Sequence, residues 1–143
     1  MAISGSGEIN FGNLTSAAYS SGSVNIEVGT NATNGASVTA KSSNGGMKNA
    51  SNPTYMLNNL TTDEVADSYR FTSALDAAED SSYGGFTQGA SLTTEVADNT
   101  TSHVLYTSNK PQKLDNVDDF TFTVSAKPDI ETPAGDYSDV VVV

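Results

Sequence analysis

One segment near the C-terminus, Asp118–Val143, constrains the fold of this chain more than any other. Between Phe120 and Ala126 apolar residues alternate with hydroxyl residues without a break. An alternation with period two places every second side chain on the same face of a β-strand. The segment therefore predicts a strand with one buried face, then a loop marked by proline and glycine, then a final strand over Tyr137–Val143.

Alternating patterns elsewhere predict further strands. They cover Glu8–Leu14, Ser23–Val28, Ala36–Lys41, Ser68–Ser73 and Ser102–Ser108, with a short edge strand over Tyr55–Leu57. The Asn34-Gly35 pair favours a tight turn, which predicts that the strands on either side of it form a hairpin. In the strand over Ser102–Ser108 the pattern leaves two choices, because either Val104 and Tyr106 or His103 and Leu105 face inward.

The remaining segments lack this period. Ser42–Pro53 is rich in glycine, asparagine and serine and predicts a surface loop, whereas Thr61–Asp67 and Ala74–Asp80 predict short helical turns. The whole pattern amounts to about eight or nine strands with one or two short helical turns. It predicts an all-β chain folded as a single domain over residues 1–143, an antiparallel β-sandwich that is Ig-like or jelly-roll-like.

Charge and composition exclude several classes of function. Seventeen acidic side chains against six basic ones give a net charge of −11, which repels nucleic-acid phosphates and anionic membrane surfaces. No apolar run reaches the roughly 18–20 residues that a membrane span needs, so no membrane insertion is expected. The chain has no cysteine, which excludes disulfides and thiolate metal sites.

The residues that catalysis commonly uses are scarce. The only histidine, His103, lies within a predicted strand, and no Gly-x-Ser-x-Gly nucleophile motif is present. The chain has no tryptophan and a single arginine, Arg70, which makes it a poor candidate for sugar or phosphate chemistry. The sequence therefore predicts a protein that is not an enzyme.

A cluster of carboxylates precedes the strand that begins at Phe120. Asp115, Asp118 and Asp119 fall in a predicted turn, and calcium takes six to eight oxygen ligands of this kind, often from loops. The spacing does not follow the regular D-x-D-x-D-G pattern of a calcium loop. Calcium is therefore the only cofactor that the sequence suggests, and a solvated acidic loop is the alternative.

Several aromatic residues fall in predicted loops or strand edges. They are Tyr19, Tyr55, Tyr83 and Phe86. Aromatic rings on loops can stack on sugar faces, so a carbohydrate-binding module is a second hypothesis, with surface glycans as partners. The absence of tryptophan weakens it.

Both ends of the chain resemble a known class of proteins. The segment Thr132–Val143 resembles the TPAGxYxDxVxVxV ending of prokaryotic surface β-sandwich domains, including pilin-like subunits of the spore-coat-U and chaperone–usher types. Ile9–Leu14 is similar to the I-x-F-G-x-L first strand of the same group, and Val24–Gly35 to its second strand and turn. The chain departs from the usher-type subunits in having no disulfide.

The resemblance implies an extracellular protein without enzymatic activity, such as a filament subunit, a surface-layer module or an adhesin. Residues Met1–Gly7 lack the basic and apolar regions of a signal peptide, so export implies that one has been removed. In such filaments an extended segment of one subunit completes the open sheet of the next, which makes copies of the chain its expected partner. The candidates for strand complementation are Ile3, Ile9, Phe11, Val140 and Val142. Pairing of the N-terminal strand within its own chain is the alternative.

Overall fold

The computed structural model describes the backbone of residues 2–4, 7–57, 67–75, 87–88, 100–113 and 120–143, and the side chains of these ranges except 2–4 and 87–88. This part of the chain is all-β: it forms eleven strands and no helix. The strands are β1 (Ala2–Ser4), β2 (Ser20–Gly29), β3 (Ser37–Ser42), β4 (Met47–Asn49), β5 (Met56–Leu57), β6 (Ser68–Leu75), β7 (Thr87–Gln88), β8 (His103–Thr107), β9 (Phe120–Lys127), β10 (Tyr137–Ser138) and β11 (Val141–Val142).

The strands form three sheets in which every pairing is antiparallel. Two sheets have four strands, in the orders β1-β2-β9-β6 and β11-β3-β8-β7, and a smaller sheet has the order β10-β4-β5. The predicted short edge strand is confirmed as β5, which lies at one edge of the smaller sheet. None of the residues that the structure describes forms a helix capable of crossing a lipid bilayer.

Strand β9 is the best-predicted element, and it lies between β2 and β6. It pairs with β2 from Ser20↔Ala126 to Ile26↔Phe120, and with β6 along its whole length. Its apolar residues are all buried, as the alternation predicts: Phe120, Phe122, Val124 and Ala126. The alternation in Ser23–Val28 and Ser68–Ser73 likewise predicts one apolar face for each strand, and Ile26, Val28, Tyr69 and Phe71 on these faces are buried.

Aromatic side chains join the two four-stranded sheets. The ring of Phe71 on β6 lies 5.3 Å from Phe122 and 5.9 Å from His103 on β8, in both cases edge to face. Tyr106 on β8 stacks on Phe120 at 5.2 Å between ring centroids. These contacts place the hydrophobic core between β6 and β9 on one side and β8 on the other.

A β-bulge resolves the inward face of β8. Val38 on β3 pairs with Tyr106, but the next residue, Thr39, pairs with Val104, so Leu105 is an extra residue on its strand. A bulge breaks the alternation, because two residues then oppose one on the partner strand. Leu105 and Tyr106 are both buried as a result. Neither of the two predicted alternations therefore describes the whole strand.

The predicted hairpin between β2 and β3 is wrong, because the two strands belong to different sheets. The turn itself forms: the N–H of Gly35 donates to the carbonyl of Ala32 at 3.0 Å. Thr30 and Gln112 exchange two backbone hydrogen bonds of 3.0 and 2.7 Å. These bonds join the segment between β2 and β3 to the segment that follows β8. Seven residues, 30–36, separate β2 from β3, so a tight turn among them does not force the two strands to pair.

Two other predicted boundaries differ from the structure. The segment Glu8–Leu14 is not a strand, although Ile9 and Phe11 pack against the core on the face that they share. Ser42–Pro53 is not simply a surface loop, because it contains β4 and ordered turns. In those turns the hydroxyl of Ser42 accepts N–H groups and the amide oxygen of Asn49 does the same. The residue types that predict a loop build these turns through local hydrogen bonds.

The final strand and the helical turns also need correction. The predicted strand over Tyr137–Val143 divides into β10 and β11, which pair with β4 and β3 in different sheets. Ala74 and Leu75, placed at the start of a predicted helical turn, are the last residues of strand β6. The rest of that turn, and the turn predicted over Thr61–Asp67 except for Asp67 itself, lie outside the described residues.

Candidate functional site: the edge formed by the last strand

The loop before the last strands is held by side-chain and backbone hydrogen bonds. The hydroxyl of Tyr137 donates to the carbonyl of Pro133 at 2.6 Å, and the N–H of Ala50 donates to the carbonyl of Asp136 at 2.8 Å. The ring of Tyr137 also meets Tyr55 edge to face, with centroids 6.2 Å apart. The Thr-Pro-Ala-Gly-Asp-Tyr segment is therefore a built turn, and it sets the position at which β10 begins.

Asp139 joins the two last strands to the core. Its carboxylate accepts hydrogen bonds from the hydroxyl of Tyr69 at 3.2 Å and from the N–H of Asn44 at 3.3 Å. The next residue, Val140, accepts the N–H of Ser43 at 2.8 Å. Burial, and then the adjacent Asp139 carboxylate, raise the pKa of Tyr69 well above its usual range. Tyr69 is therefore held in its neutral form, as a donor to Asp139.

This anchor predicts a loss of stability in alkali. Because the pKa of Tyr69 is raised in the folded state, neutral Tyr69 stabilises the fold fully at a pH below the ordinary tyrosine pKa of about 10. Above that pH this part of the free energy of unfolding is lost, by up to about 1.4 kcal/mol per pH unit. Tyr69→Phe should cost about 0.5–1.5 kcal/mol near neutrality, through the lost hydrogen bond. Urea unfolding at increasing pH should show a shallower alkaline decline for the variant than for the parent. Parallel curves would contradict this.

The backbone of β11 presents an open edge. Strand β11 is outermost in its sheet and pairs only with β3, so its second edge has no partner strand among the described residues. In antiparallel pairing, residues directly opposite each other are alternately hydrogen-bonded and not bonded. Ser43 and Val140 are a hydrogen-bonded pair, so the next pair, Ser42 and Val141, is not bonded. The N–H and C=O of Val141 therefore point away from β3, toward the open edge.

The side chains at this edge are apolar and exposed. Val140, Val142 and Val143 are 64%, 48% and 47% exposed, whereas Val141 packs against the core. No charged residue interrupts the four valines. Native proteins commonly blunt such edges with lysine, proline or bulges. We call residues Val140–Val143 the valine edge. A run of four valines in a strand cannot turn every side chain toward one core, and the exposures agree with this.

The N-terminal segment Gly7–Leu14 is attached mainly by side chains. Ile9, Phe11 and Leu14 pack against the core, and Ile9 lies directly against Gly22, where a larger residue would overlap it. Among the described residues, this segment forms one hydrogen bond, and it is internal: the N–H of Gly12 donates to the side-chain oxygen of Asn10. We call Gly7–Leu14 the docked segment.

Strand β1 pairs within its own chain. It lies beside β2, with Ile3 opposite Val28, on the sheet that does not contain β11. Pairing of the N-terminal strand within its own chain, the alternative to complementation, is therefore what one copy shows for β1. Complementation between copies stays a prediction. The complementation candidates fall in three places, because Ile3 is on β1, Ile9 and Phe11 are on the docked segment, and Val140 and Val142 are on the valine edge.

Two of the four predicted sugar-stacking residues, Tyr19 and Tyr55, are described by the structure. Tyr19 lies before β2, where the guanidinium carbon of Arg70 stands 3.8 Å above its ring centre, so one ring face is covered. Tyr55 is half-buried beside the smaller sheet, and its hydroxyl donates to buried Asp67 at 2.6 Å. Tyr83 and Phe86 lie outside the described residues. No pattern in the sequence connects Arg70 to Tyr19, so the contact between them was not predicted.

The predicted calcium ligands Asp115, Asp118 and Asp119 lie outside the described residues, and calcium binding stays a prediction. In the part of the chain that the structure describes, no group of three or more histidine or acidic side chains could hold a metal ion. His103 is buried against the ring of Phe71, and its Nε2 has no hydrogen-bond partner.

No protein-family model, no curated protein and no solved structure matches this chain. The resemblance of its two ends to prokaryotic surface domains thus rests on the motif residues alone. The geometry of the valine edge and of the docked segment carries the functional argument.

Proposed function

We propose that the chain is a non-enzymatic structural protein of the cell surface whose copies assemble by strand complementation at the valine edge. The single observation that carries the proposal is the outermost strand β11, with its exposed Val140 and Val142 and the backbone of Val141 directed outward. An extended segment added there would satisfy backbone groups and cover apolar side chains together.

An antiparallel β-sandwich, Ig-like or jelly-roll-like, is the architecture that suits this role. The ring contacts between β8 and the pair β6 and β9 support two layers packed face to face. The bond from the Tyr137 hydroxyl to the carbonyl of Pro133 supports it too, because immunoglobulin-type sandwiches have a tyrosine that bonds to the backbone a few residues upstream. A sandwich leaves edge strands at each layer, and β11 is such an edge.

The docked segment is the candidate donor. Its apolar side chains hold it on the core with no strand pairing of its own, so its release breaks only the three-residue ladder between β2 and β1, the strand that precedes it. Once released, the segment can add to the valine edge of the next copy as an extended strand. The surface location follows from the resemblance of both ends to exported domains and from the chain's serine, threonine and asparagine content.

Val142→Lys tests the valine edge. A lysine there should abolish assembly, because a charge on an edge strand opposes pairing with a further strand. It should leave the fold intact, since Val142 is 48% exposed. The matched control is Ile130→Lys: Ile130 is 86% exposed but lies in the loop after β9, so this variant should assemble like the parent. Assembly is measured by light scattering after size exclusion, over a concentration series, and by negative-stain microscopy. A parent protein that stays monomeric at every concentration would refute the proposal.

Ile9→Cys with Gly22→Cys tests the docked segment. A Cβ built on Gly22 lies 3.4 Å from the Cβ of Ile9, close to the roughly 3.5–4.5 Å of disulfides, and no native cysteine competes. Oxidised monomers should carry an intramolecular bond and fail to assemble. Oxidation after assembly under reducing conditions should give few intramolecular bonds, because a donated segment lies at the valine edge of the next copy and away from Gly22 of its own chain. The matched control, Ile9→Cys alone, should assemble like the parent under oxidising conditions. Intramolecular bonds alone in assembled material would show that another segment is the donor.

A further inference from the structure

The outward face of the sheet that contains β9 carries short hydroxyl and amide side chains. The hydroxyls of Ser21 and Ser125 lie 2.8 Å apart, and those of Ser23 and Thr123 lie 2.7 Å apart. One row further, the hydroxyl of Thr121 donates to the side chain of Asn25 at 3.0 Å. These three cross-strand pairs, with Thr72 on β6 beside Thr123, form what we call the hydroxyl face. These side chains are uncharged, and they extend about 14 Å along the strands at ~3.4 Å per residue.

Two basic residues, Arg70 and Lys127, lie at one end of the hydroxyl face, near the ring of Tyr19. The guanidinium carbon of Arg70 lies 3.8 Å from the ring centre of Tyr19, and the Nζ of Lys127 lies 5.8 Å from the same centre. The hydroxyl of Tyr19 donates to Ser68 at 2.9 Å, which holds the ring in place. Arg70 is the chain's only arginine. With Lys127, two of the chain's six basic residues lie near the ring of Tyr19.

Among the described residues the two cations have no acidic counterpart. Neither Arg70 nor Lys127 forms an ion pair with an aspartate or glutamate of the described residues, although the chain carries seventeen acidic side chains. The Nε of Arg70 is buried without a hydrogen-bond partner. Both cations lie near the ring of Tyr19, and a bound anion would lower the repulsion between their like charges. A guanidinium stacked on an aromatic ring still presents the N–H groups of its edge to a carboxylate.

We propose that Arg70 and Lys127, held by Tyr19 at the end of the hydroxyl face, bind a glycan that carries a carboxylate next to neutral sugars. The carboxylate lies on the two cations, and the neutral sugars lie along the hydroxyl face. Serine and threonine hydroxyls donate and accept hydrogen bonds, as sugar hydroxyls do, which suits this face to a glycan. The net charge of −11 opposes ligands with a charge at every unit, such as nucleic acids, so charge complementarity selects a sparsely acidic glycan.

This site is independent of assembly. It lies on the outward face of the sheet β1-β2-β9-β6, whereas the valine edge belongs to the sheet that contains β3. The Val142→Lys protein should therefore bind the glycan as tightly as the parent. Failure of glycan binding and failure of assembly are thus separate results, measured on separate variants.

The test uses a hyaluronan octasaccharide, in which glucuronic acid alternates with a neutral N-acetylated sugar. Calorimetry with the full chain should show binding that weakens as salt is added. Arg70→Gln and Lys127→Gln should each weaken it by about ten-fold or more, since a charge-assisted hydrogen bond is lost. The matched control Lys48→Gln removes an exposed lysine from β4, in another sheet, and should change nothing.

Five results would overturn the proposal, and four of them concern the variants and the sugars. These four are no binding by the parent, equal binding by Lys127→Gln, equal loss in Lys48→Gln, and equal binding of a neutral N-acetylglucosamine oligomer. Lys127 is only half-buried, so its variant keeps the test valid if the Arg70 variant fails to fold. An oligoglutamate peptide that binds as tightly as the octasaccharide would also overturn it, because the occupant would then be an acidic protein segment.

Discussion

Replacing Phe71 with alanine is expected to lower the free energy of unfolding by about 3–5 kcal/mol, more than any other single side-chain truncation considered for this chain. Phe71 is 2% exposed, and three rings pack edge to face against it: Tyr69 at 5.6 Å, His103 at 5.9 Å and Phe122 at 5.3 Å. Truncation removes these contacts and leaves a cavity between β6 and β8. Urea unfolding, followed by tyrosine fluorescence, measures the loss.

Phe11→Ala is the matched control for this prediction. It makes the same chemical change on the docked segment, where Phe11 is half-buried and packs against the edge of the core. Its expected cost is about 1–2 kcal/mol, because less apolar area returns to water and solvent fills the space. Equal costs for the two variants would show that Phe71 is not the centre of the packing between these strands.

Replacing Gly35 with alanine is the second change with a large expected effect. Gly35 has φ +75°, a left-handed conformation that costs an L-residue about 1–2 kcal/mol. A Cβ at this position would also overlap the backbone carbonyl of Ser108, which no side-chain rotation relieves. Shifting that backbone strains the two bonds that Ala36 makes with Ser108, at 2.8 and 2.9 Å, and adds about 1–3 kcal/mol.

Gly12→Ala separates the two causes. Gly12 has φ +62°, close to that of Gly35, but a Cβ there would meet nothing within 4 Å. Thermal unfolding of both variants should therefore give a small shift for Gly12→Ala, from backbone strain alone, and a clearly larger one for Gly35→Ala. If the two shifts match, the overlap with Ser108 is relieved at no cost and the connection between β2 and β3 is more pliable than the structure implies.

The strands were predictable because a period-two alternation is a local property of the sequence. Ser23–Val28, Ser68–Ser73 and Phe120–Ala126 lie within β2, β6 and β9, and the residues predicted to face inward do so. The alternation specifies a face for each strand but not its neighbour. Asn34-Gly35 forms its turn, yet β2 and β3 separate, because hydrogen bonds from Thr30 and Ala36 to a distant segment replace the expected hairpin ladder.

The two candidate sites were predictable to different degrees. An uninterrupted run of four valines cannot bury every side chain against one core, so the exposure of Val140 and Val142 followed from the sequence. Nothing in the sequence relates Tyr19 to Arg70 and Lys127, since they lie on three segments far apart along the chain. The pairing of β6 with β9, and of β9 with β2, brings them together.

For this chain, the sequence by itself determined which residues form the principal strands and which face of each is buried. The reason is that side-chain alternation and glycine-based turns act over a few residues. The tertiary structure alone decided which strands are neighbours, that the last segment divides between two sheets, and that the chain's only arginine meets a tyrosine ring. Those outcomes depend on competition among strands with similar apolar faces, and packing of the whole core settles that competition.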